Sequence, residues 1–316
     1  MRFKDKRVVL TGGTGFLGKA VRAKFMEEGA NVVVHGSDKY DMMNNKDAEK
    51  LMQWGDYVIH LGADCGGIGY NRKFPGQLFY RNMMMSLNIV EACRKAGNVK
   101  KLVLLGSVCA YPKFAMVPFS EHDLWKGYPE STNAAYGLAK RETLTLAQAY
   151  RKQYGLNSIY LLMVNLYGPH DHFFNDQKSH VIPALIERFV EARDSKAEEV
   201  VLWGTGTPTR EFLYVEDAAE AIFLATKLYD RPMPVNVGCG HEVSIKELAE
   251  EIRSIVGYYG EIKWDSSKPD GQPRRCLDVS KAKEYFNFKA KVGIKEGLRK
   301  TVEWYEEEKE RRKNGN

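Results

Sequence analysis

Tyr136 and Lys140 stand four residues apart in Tyr136-Gly-Leu-Ala-Lys140, a spacing that sets both on one face of a helix. An ammonium there can lower a phenol from its usual value of about 10, making it a proton donor to a carbonyl oxygen that receives hydride. The spacing alone is poorly specific, because it recurs at Tyr259/Lys263, Tyr285/Lys289 and Tyr305/Lys309. Ser107 singles out the first pair. It ends an apolar strand, where open α/β sheets put their ligands, and its hydroxyl can bond the same oxygen.

A second constellation lies near the N-terminus. The run Val8-Val9-Leu10 leads into Thr11-Gly12-Gly13-Thr14-Gly15-Phe16-Leu17-Gly18. Glycines at 12, 15 and 18, between a strand and a helix, permit a tight turn and let a pyrophosphate approach the main chain. The exposed N–H groups and positive end of the helix then hold the phosphates. Which dinucleotide binds is set at the end of the second strand. An acid there serves the ribose 2′-hydroxyl of NAD, whereas this chain has His35, Gly36 and Ser37, with Asp38 late and Lys39 beside it. The arrangement favours NADP.

Those residues need a scaffold, and the apolar pattern supplies one. Strands are predicted at Val8–Leu10, Val32–His35, Tyr57–Leu61, Leu102–Gly106 and Ser158–Val164, with helices at Phe16–Glu28, Lys46–Trp54, Pro75–Ala96 and Ala134–Tyr154. Short Val/Ile/Leu-rich strands alternating with helices specify an α/β fold, a doubly wound parallel sheet of Rossmann type. Beyond Asn165 the rhythm changes to helix Val181–Asp194, strand Val200–Trp203, helix Val215–Leu228, strand Val235–Val237, helix Ser244–Val256 and helix Ile294–Arg312. We expect a dinucleotide-binding domain over 1–166, with 213–238 packing back onto it. A smaller α/β nucleotide-sugar-binding domain is expected from 167–212 and 239–316.

Composition narrows the classes. The 316 residues are 44% apolar and 28% charged, which excludes wholesale disorder, and 47 Lys and Arg against 41 Asp and Glu leave a charge of +6. That surplus is spread along the chain rather than gathered on one element, so no nucleic-acid partner is expected. No apolar run approaches the roughly 18–20 residues of a membrane helix, and the N-terminus lacks a secretory pattern, so no membrane partner is expected either. Five scattered cysteines without a Cys-x-x-Cys pair argue against a disulfide framework or zinc ribbon and for a reducing, cytoplasmic setting. His170, His172 and His180 invite a metal reading, but no further ligand completes a tetrahedral set and no metal is expected.

With the glycine turn, Ser107 and Tyr136/Lys140 together, the chain resembles the extended short-chain dehydrogenase/reductase family. Longer runs are more specific: Gly66-Gly67-Ile68, Asn82-Met83-Met84, Leu105 to Pro112, Asn165 to Asp171, Ser179 to Leu185, Trp203 to Phe212 and Pro269-Asp270-Gly271 are similar to those of GDP-L-fucose synthases over nearly the whole chain. The resemblance implies conversion of GDP-4-keto-6-deoxy-D-mannose to GDP-L-fucose with NADPH, by epimerisation at C3 and C5 and reduction at C4. A ketone at C4 acidifies both neighbouring carbons, so each inversion needs a base on one face and an acid on the other. The resemblance makes Cys109 and His180 that pair, beside Ser107, Tyr136 and Lys140.

By the same resemblance the cofactor is held by Gly12, Gly13, Thr14, Gly15, Phe16, Leu17, Gly18, His35, Ser37, Leu105, Gly106, Lys140, Met163, Asn165, Leu166 and His180. The GDP-sugar is held by Arg188, Trp203, Arg210 and Asp270. A homodimer paired through Pro75–Ala96 and Ala134–Tyr154 is also implied. Two runs depart from the family pattern: the generic Thr11-Gly-Gly-Thr-Gly loop offers no arginine to an NADP phosphate, and Met163-Val164-Asn165 stands where Pro-Thr-Asn is usual. A related nucleotide-sugar reductase or epimerase, such as one for a GDP-heptose, is the alternative. A 4,6-dehydratase is disfavoured, because Val108-Cys109 replaces its Asp-Glu pair. A silent NADP-binding sensor is disfavoured by the intact Ser107/Tyr136/Lys140 set.

Overall fold

Strands buried on both faces cannot be solvated, so the apolar runs of the first half must be covered by helices on each side. The computed structural model describes residues 3–174, 179–268 and 270–315, so Pro269 of the Pro-Asp-Gly run lies outside the described residues. In it the first half forms β1 (Arg7–Thr11), α1 (Phe16–Glu27), β2 (Asn31–Val34), α2 (Asn45–Met52), β3 (Tyr57–His60), α3 (Ile68–Lys73), α4 (Pro75–Ala96), β4 (Lys101–Ser107), α5 (Ala134–Tyr154) and β5 (Ser158–Met163). The second half adds β6 (Asn165–Tyr167), α6 (Val181–Ser195), β7 (Glu199–Trp203), β8 (Thr209–Tyr214), α7 (Val215–Leu228) and β9 (Val235–Val237). It ends with β10 (Glu242–Ser244), α8 (Ile245–Val256), β11 (Glu261–Asp265), β12 (Arg274–Arg275), α9 (Ser280–Phe286) and α10 (Ile294–Lys313).

Among the described residues, six parallel strands run in the order β2-β1-β3-β4-β5-β9. The order reverses direction between β1 and β3, which opens a crevice beyond the carboxyl ends of the strands. The main core, with Val9, Ile59, Val103, Leu161 and Val237 at its centre, fills both faces of this sheet. A second core gathers Tyr167, Ile186, Phe189, Leu202, Phe212, Ile252 and Leu298. Around it β8 pairs with β6, β10 and β12, while β7 pairs with β11. No helix among the described residues is long and apolar enough to cross a membrane.

The long helices follow their sequence signals. Gly97 and Gly155 adopt left-handed backbone just past α4 and α5. Ser244 caps α8 reciprocally with Glu247, so the helix proper begins one residue later than predicted. The strands predicted at Val200–Trp203 and Val235–Val237 form as β7 and β9, whereas β6, β8, β10, β11 and β12 were not legible. β8 reads Thr-Arg-Glu-Phe-Leu-Tyr, and its Glu211 is fully buried, which breaks any apolar alternation. That carboxylate accepts from the N–H groups of Gly240 and Leu277, both at 2.7 Å. It therefore ties β8 to the segments on either side.

Candidate active site

The glycine loop is shaped by contacts that exclude side chains. Gly12 has φ +70°, and a Cβ there would lie 2.7 Å from the amide nitrogen of Gly62. A Cβ on Gly18 would lie 2.1 Å from the carbonyl oxygen of Gly12, so α1 can start against the turn only with glycine. Gly12, Thr14 and Gly15 are exposed, Phe16 and Leu17 are half-buried, and Gly13 packs beneath against Val34. Gly15 caps α1 without any side-chain hydrogen bond, and the first turn carries no acid. Open backbone donors at a helix N-terminus form a cradle that fits a diphosphate. Beyond β2, His35 packs 5.1 Å from the Tyr40 ring, and Ser37 and Lys39 are exposed.

At the end of β4 the Ser107 hydroxyl oxygen accepts the Cys109 N–H at 3.2 Å and caps a single 3₁₀ turn over Val108–Ala110. α5 comes down on this turn because residue 137 is glycine: a Cβ there would lie 2.3 Å from the Cys109 carbonyl oxygen. Arg141 then clamps the turn, donating from Nε to the Ala110 oxygen at 2.5 Å and from Nη1 to the Gly127 oxygen at 2.8 Å. Ser107, Cys109, Tyr136 and Lys140 are thereby gathered at the carboxyl edge of the sheet. Of the other Tyr/Lys pairs, Tyr259 and Lys263 flank and enter β11, Tyr285 stacks on Tyr229, and Tyr305 stacks on Phe173.

The expected electrostatics of Tyr136 need correction. Burial, helped by the negative ends of Cys65 and Cys109, raises its pKa well above the ordinary phenol value. The Lys140 ammonium sits 5.6 Å from the ring centroid and does not offset this. Burial acts on the lysine too, lowering it to about 8. Tyr136 therefore keeps its proton at neutral pH, the form a proton donor requires.

His180 precedes α6 and is exposed to solvent, yet enough protein surrounds its ring that desolvation lowers its pKa. The loop before α3 reaches the same place, since a Cβ on Gly67 would lie 2.7 Å from the Ser179 carbonyl oxygen. Leu105 and Met163 belong to the buried core, Gly106 lies tight against Tyr160, and Leu166 is half-buried. Asn165 donates from Nδ2 to the Glu211 carbonyl oxygen at 3.0 Å.

The residues expected to meet a nucleotide sugar also converge. Trp203, at the end of β7, is 65% exposed, with the Lys268 ammonium 5.7 Å from its ring centroid. Asp270 comes close under Gly204 and accepts from the Thr205 N–H at 2.7 Å. Arg210 donates from Nη2 to the Asp270 carbonyl oxygen at 3.4 Å, and Arg188 from Nη1 to the Val201 oxygen at 3.4 Å. Burial first, then the nearby Arg275, brings Arg210 down to about 10, so it stays cationic at neutral pH.

Sequence reasoning missed several neighbours of this site. His60 shares a 2.7 Å hydrogen bond between Nδ1 and the Thr11 hydroxyl, and burial holds it neutral with a pKa of about 3. Cys65 is within electrostatic reach of Tyr136 and Lys140. Its position just past the third predicted strand could have flagged it. Arg275 lies against Cys109, and no sequence signal points to it. His170, one of the metal candidates, instead packs 4.8 Å from the Trp304 ring and shares a 3.2 Å hydrogen bond with Lys19.

Residues 8–238 match the NAD dependent epimerase/dehydratase family. The chain belongs to that family. It is 44% identical over 307 residues to a protein named probable GDP-L-fucose synthase 1 from Oryza sativa subsp. japonica, covering 96% of this chain and 93% of the relative. Among solved structures, a GDP-6-OMe-4-keto-L-xylo-heptose reductase from Campylobacter jejuni superimposes with TM-score 0.90 at 28% identity, covering 98% of this chain and 99% of the other. A GDP-L-fucose synthetase from Naegleria fowleri bound to NADP gives TM-score 0.87 at 29% identity, covering 97% and 96%. The family match ends at β9, the last strand of the six-stranded sheet, so the Arg274–Arg275 strand lies beyond it.

Proposed function

We propose that this family member is an NADPH-dependent epimerase–reductase that converts GDP-4-keto-6-deoxy-D-mannose to GDP-L-fucose. The observation that carries the reading is the gathering of Ser107 and Cys109 on one turn, with Tyr136 facing it from α5 and Arg210 within electrostatic reach of Cys109, in a chain 44% identical to a protein named for that synthesis. Bound NADPH supplies the hydride. The open N-terminus of α1 would hold its diphosphate, and His35 and Ser37 its ribose phosphate. Lys140 would hold the nicotinamide ribose, with Leu105, Gly106, Met163, Asn165 and Leu166 beside the ring.

The chain's own residues then handle protons. Ser107 and Tyr136 donate hydrogen bonds to the C4 oxygen and stabilise the enolate formed at either neighbour. Cys109 removes a proton from one face of the carbon, and His180 returns one to the other. Desolvation lowers the pKa of His180, so near neutral pH its ring rests mainly neutral and must take up a proton before it returns one to the carbon. In the reduction Tyr136 gives its phenolic proton to the same oxygen. The exposed Trp203 stacks on the nucleotide base, while Arg188 and Arg210 pair with the diphosphate.

The reading includes the division of the chain at 1–166 and 213–238 for the cofactor, with 167–212 and 239–316 for the sugar nucleotide. It also includes a cytoplasmic setting, supported by five free thiols, and a homodimer through α4 and α5. Light scattering at twice the 36.0 kDa chain mass supports the dimer, and the monomer mass removes it. The activity is tested by offering the protein NADPH with GDP-4-keto-6-deoxy-D-mannose or with a GDP-4-keto-heptose. Faster cofactor oxidation with the deoxymannose is expected. A preference of tenfold or more for the heptose would move the reading to that sugar.

A further inference from the structure

The sulfur of Cys109 has a buried cation against it. Arg275, only 7% exposed, donates from Nη1 to Cys109 Sγ at 3.6 Å, across 166 positions of sequence. The guanidinium is held from behind. Its Nε donates to Gln272 Oε1 at 2.8 Å, and Gln272 Nε2 donates in turn to the Lys113 carbonyl oxygen at 2.9 Å. Its backbone is fixed in β12, where Arg275 stands in register with Arg210 of β8.

A buried guanidinium is costly without an anion, and among the described residues no carboxylate is in ion-pair contact with Arg275. Glu130 feels the charge of Arg275, but that carboxylate is engaged by the Thr132 N–H, the Thr132 hydroxyl and Asn133 Nδ2. Arg210 also feels both Arg275 and Cys109, and Tyr136 faces Cys109 from α5. The group at hydrogen-bond distance from the end of Arg275 is thus the thiol, and a fixed positive charge favours its anion.

We propose that Arg275 is a positioning residue that aims Cys109 and stabilises it as the thiolate that takes the proton in epimerisation. This rests on the reading of Cys109 as the base. It ties the base to the sugar-nucleotide side of the cleft, since Arg275 and Arg210 sit on paired strands.

The test is the pH profile of Cys109 alkylation by iodoacetamide, followed by peptide mass spectrometry so that the other thiols are separated. In Arg275→Met the midpoint should move upward by about one unit, with alkylation at pH 7 falling about tenfold. Arg275→Lys, which keeps a cation, should recover most of that. If Arg275→Met fails to fold by circular dichroism, Gln272→Leu loosens the same guanidinium and should move the midpoint the same way by less. An unchanged midpoint in the folded variants overturns the proposal. A second readout, solvent-deuterium exchange into the 4-keto sugar, should fall in Arg275→Met and return in Arg275→Lys. A shifted midpoint with undiminished exchange would instead remove Cys109 from the chemistry, and so overturn the reading beneath while leaving the charge pairing intact.

Discussion

Lys140 carries the conflict between stability and use most directly. Burial lowers it to about 8 from an unfolded value of 10.5, so between those values the unfolded chain binds more protons. Stability from this group therefore rises with pH across that window, and below pH 8 the full penalty applies, on the order of 3 kcal/mol. Lys140→Met should raise the melting temperature at pH 7, the gain should shrink as pH climbs toward 10.5, and turnover should be lost. Calorimetry at pH 7 and 10 checks the sign. Tyr136→Phe should lower reduction by about a hundredfold while solvent exchange at the sugar carbons persists, as followed by NMR. Ser107, Tyr136 and Lys140 were legible because strand end and helix spacing are local properties. The rise of the Tyr136 pKa was not, because burial is set by the distant chain packed around it. Arg275 was hidden for the same reason, since it meets Cys109 only through a strand of two residues.

At the scale of elements, the seating of α5 on the turn at 108–110 decides whether the site assembles. Gly137→Ala would place a Cβ 2.3 Å from the Cys109 carbonyl oxygen, against backbone that cannot swing away. We expect a loss of about 1–3 kcal/mol in urea unfolding. A fall in kcat should accompany it, with NADPH affinity little changed, because the cradle at α1 is built separately. Equal loss of cofactor binding would show that α5 supports the whole cleft rather than one turn. The helices α1, α4 and α5 could be read from apolar spacing and glycine stops, and α7 from apolar spacing alone. β8 could not, because its buried Glu211 is satisfied by backbone donors from outside the strand, and those appear only once the chain is folded.

The whole molecule joins a six-stranded sheet and a smaller assembly around two cores. Cofactor that binds only the folded chain must stabilise it by mass action, about 2.7 kcal/mol at a hundred times the dissociation constant. NADPH should therefore raise the melting temperature more than NADH at equal concentration, in keeping with His35 and Ser37 at the end of β2. The net charge of +6 says little about the substrate beside the specific placement of Arg188 and Arg210. The most direct test of the central claim is a single incubation in D₂O with NADPH and GDP-4-keto-6-deoxy-D-mannose, with the product analysed by NMR. The account predicts GDP-L-fucose carrying deuterium at both C3 and C5. Reduced sugar that keeps the manno configuration, without deuterium at those carbons, would contradict it.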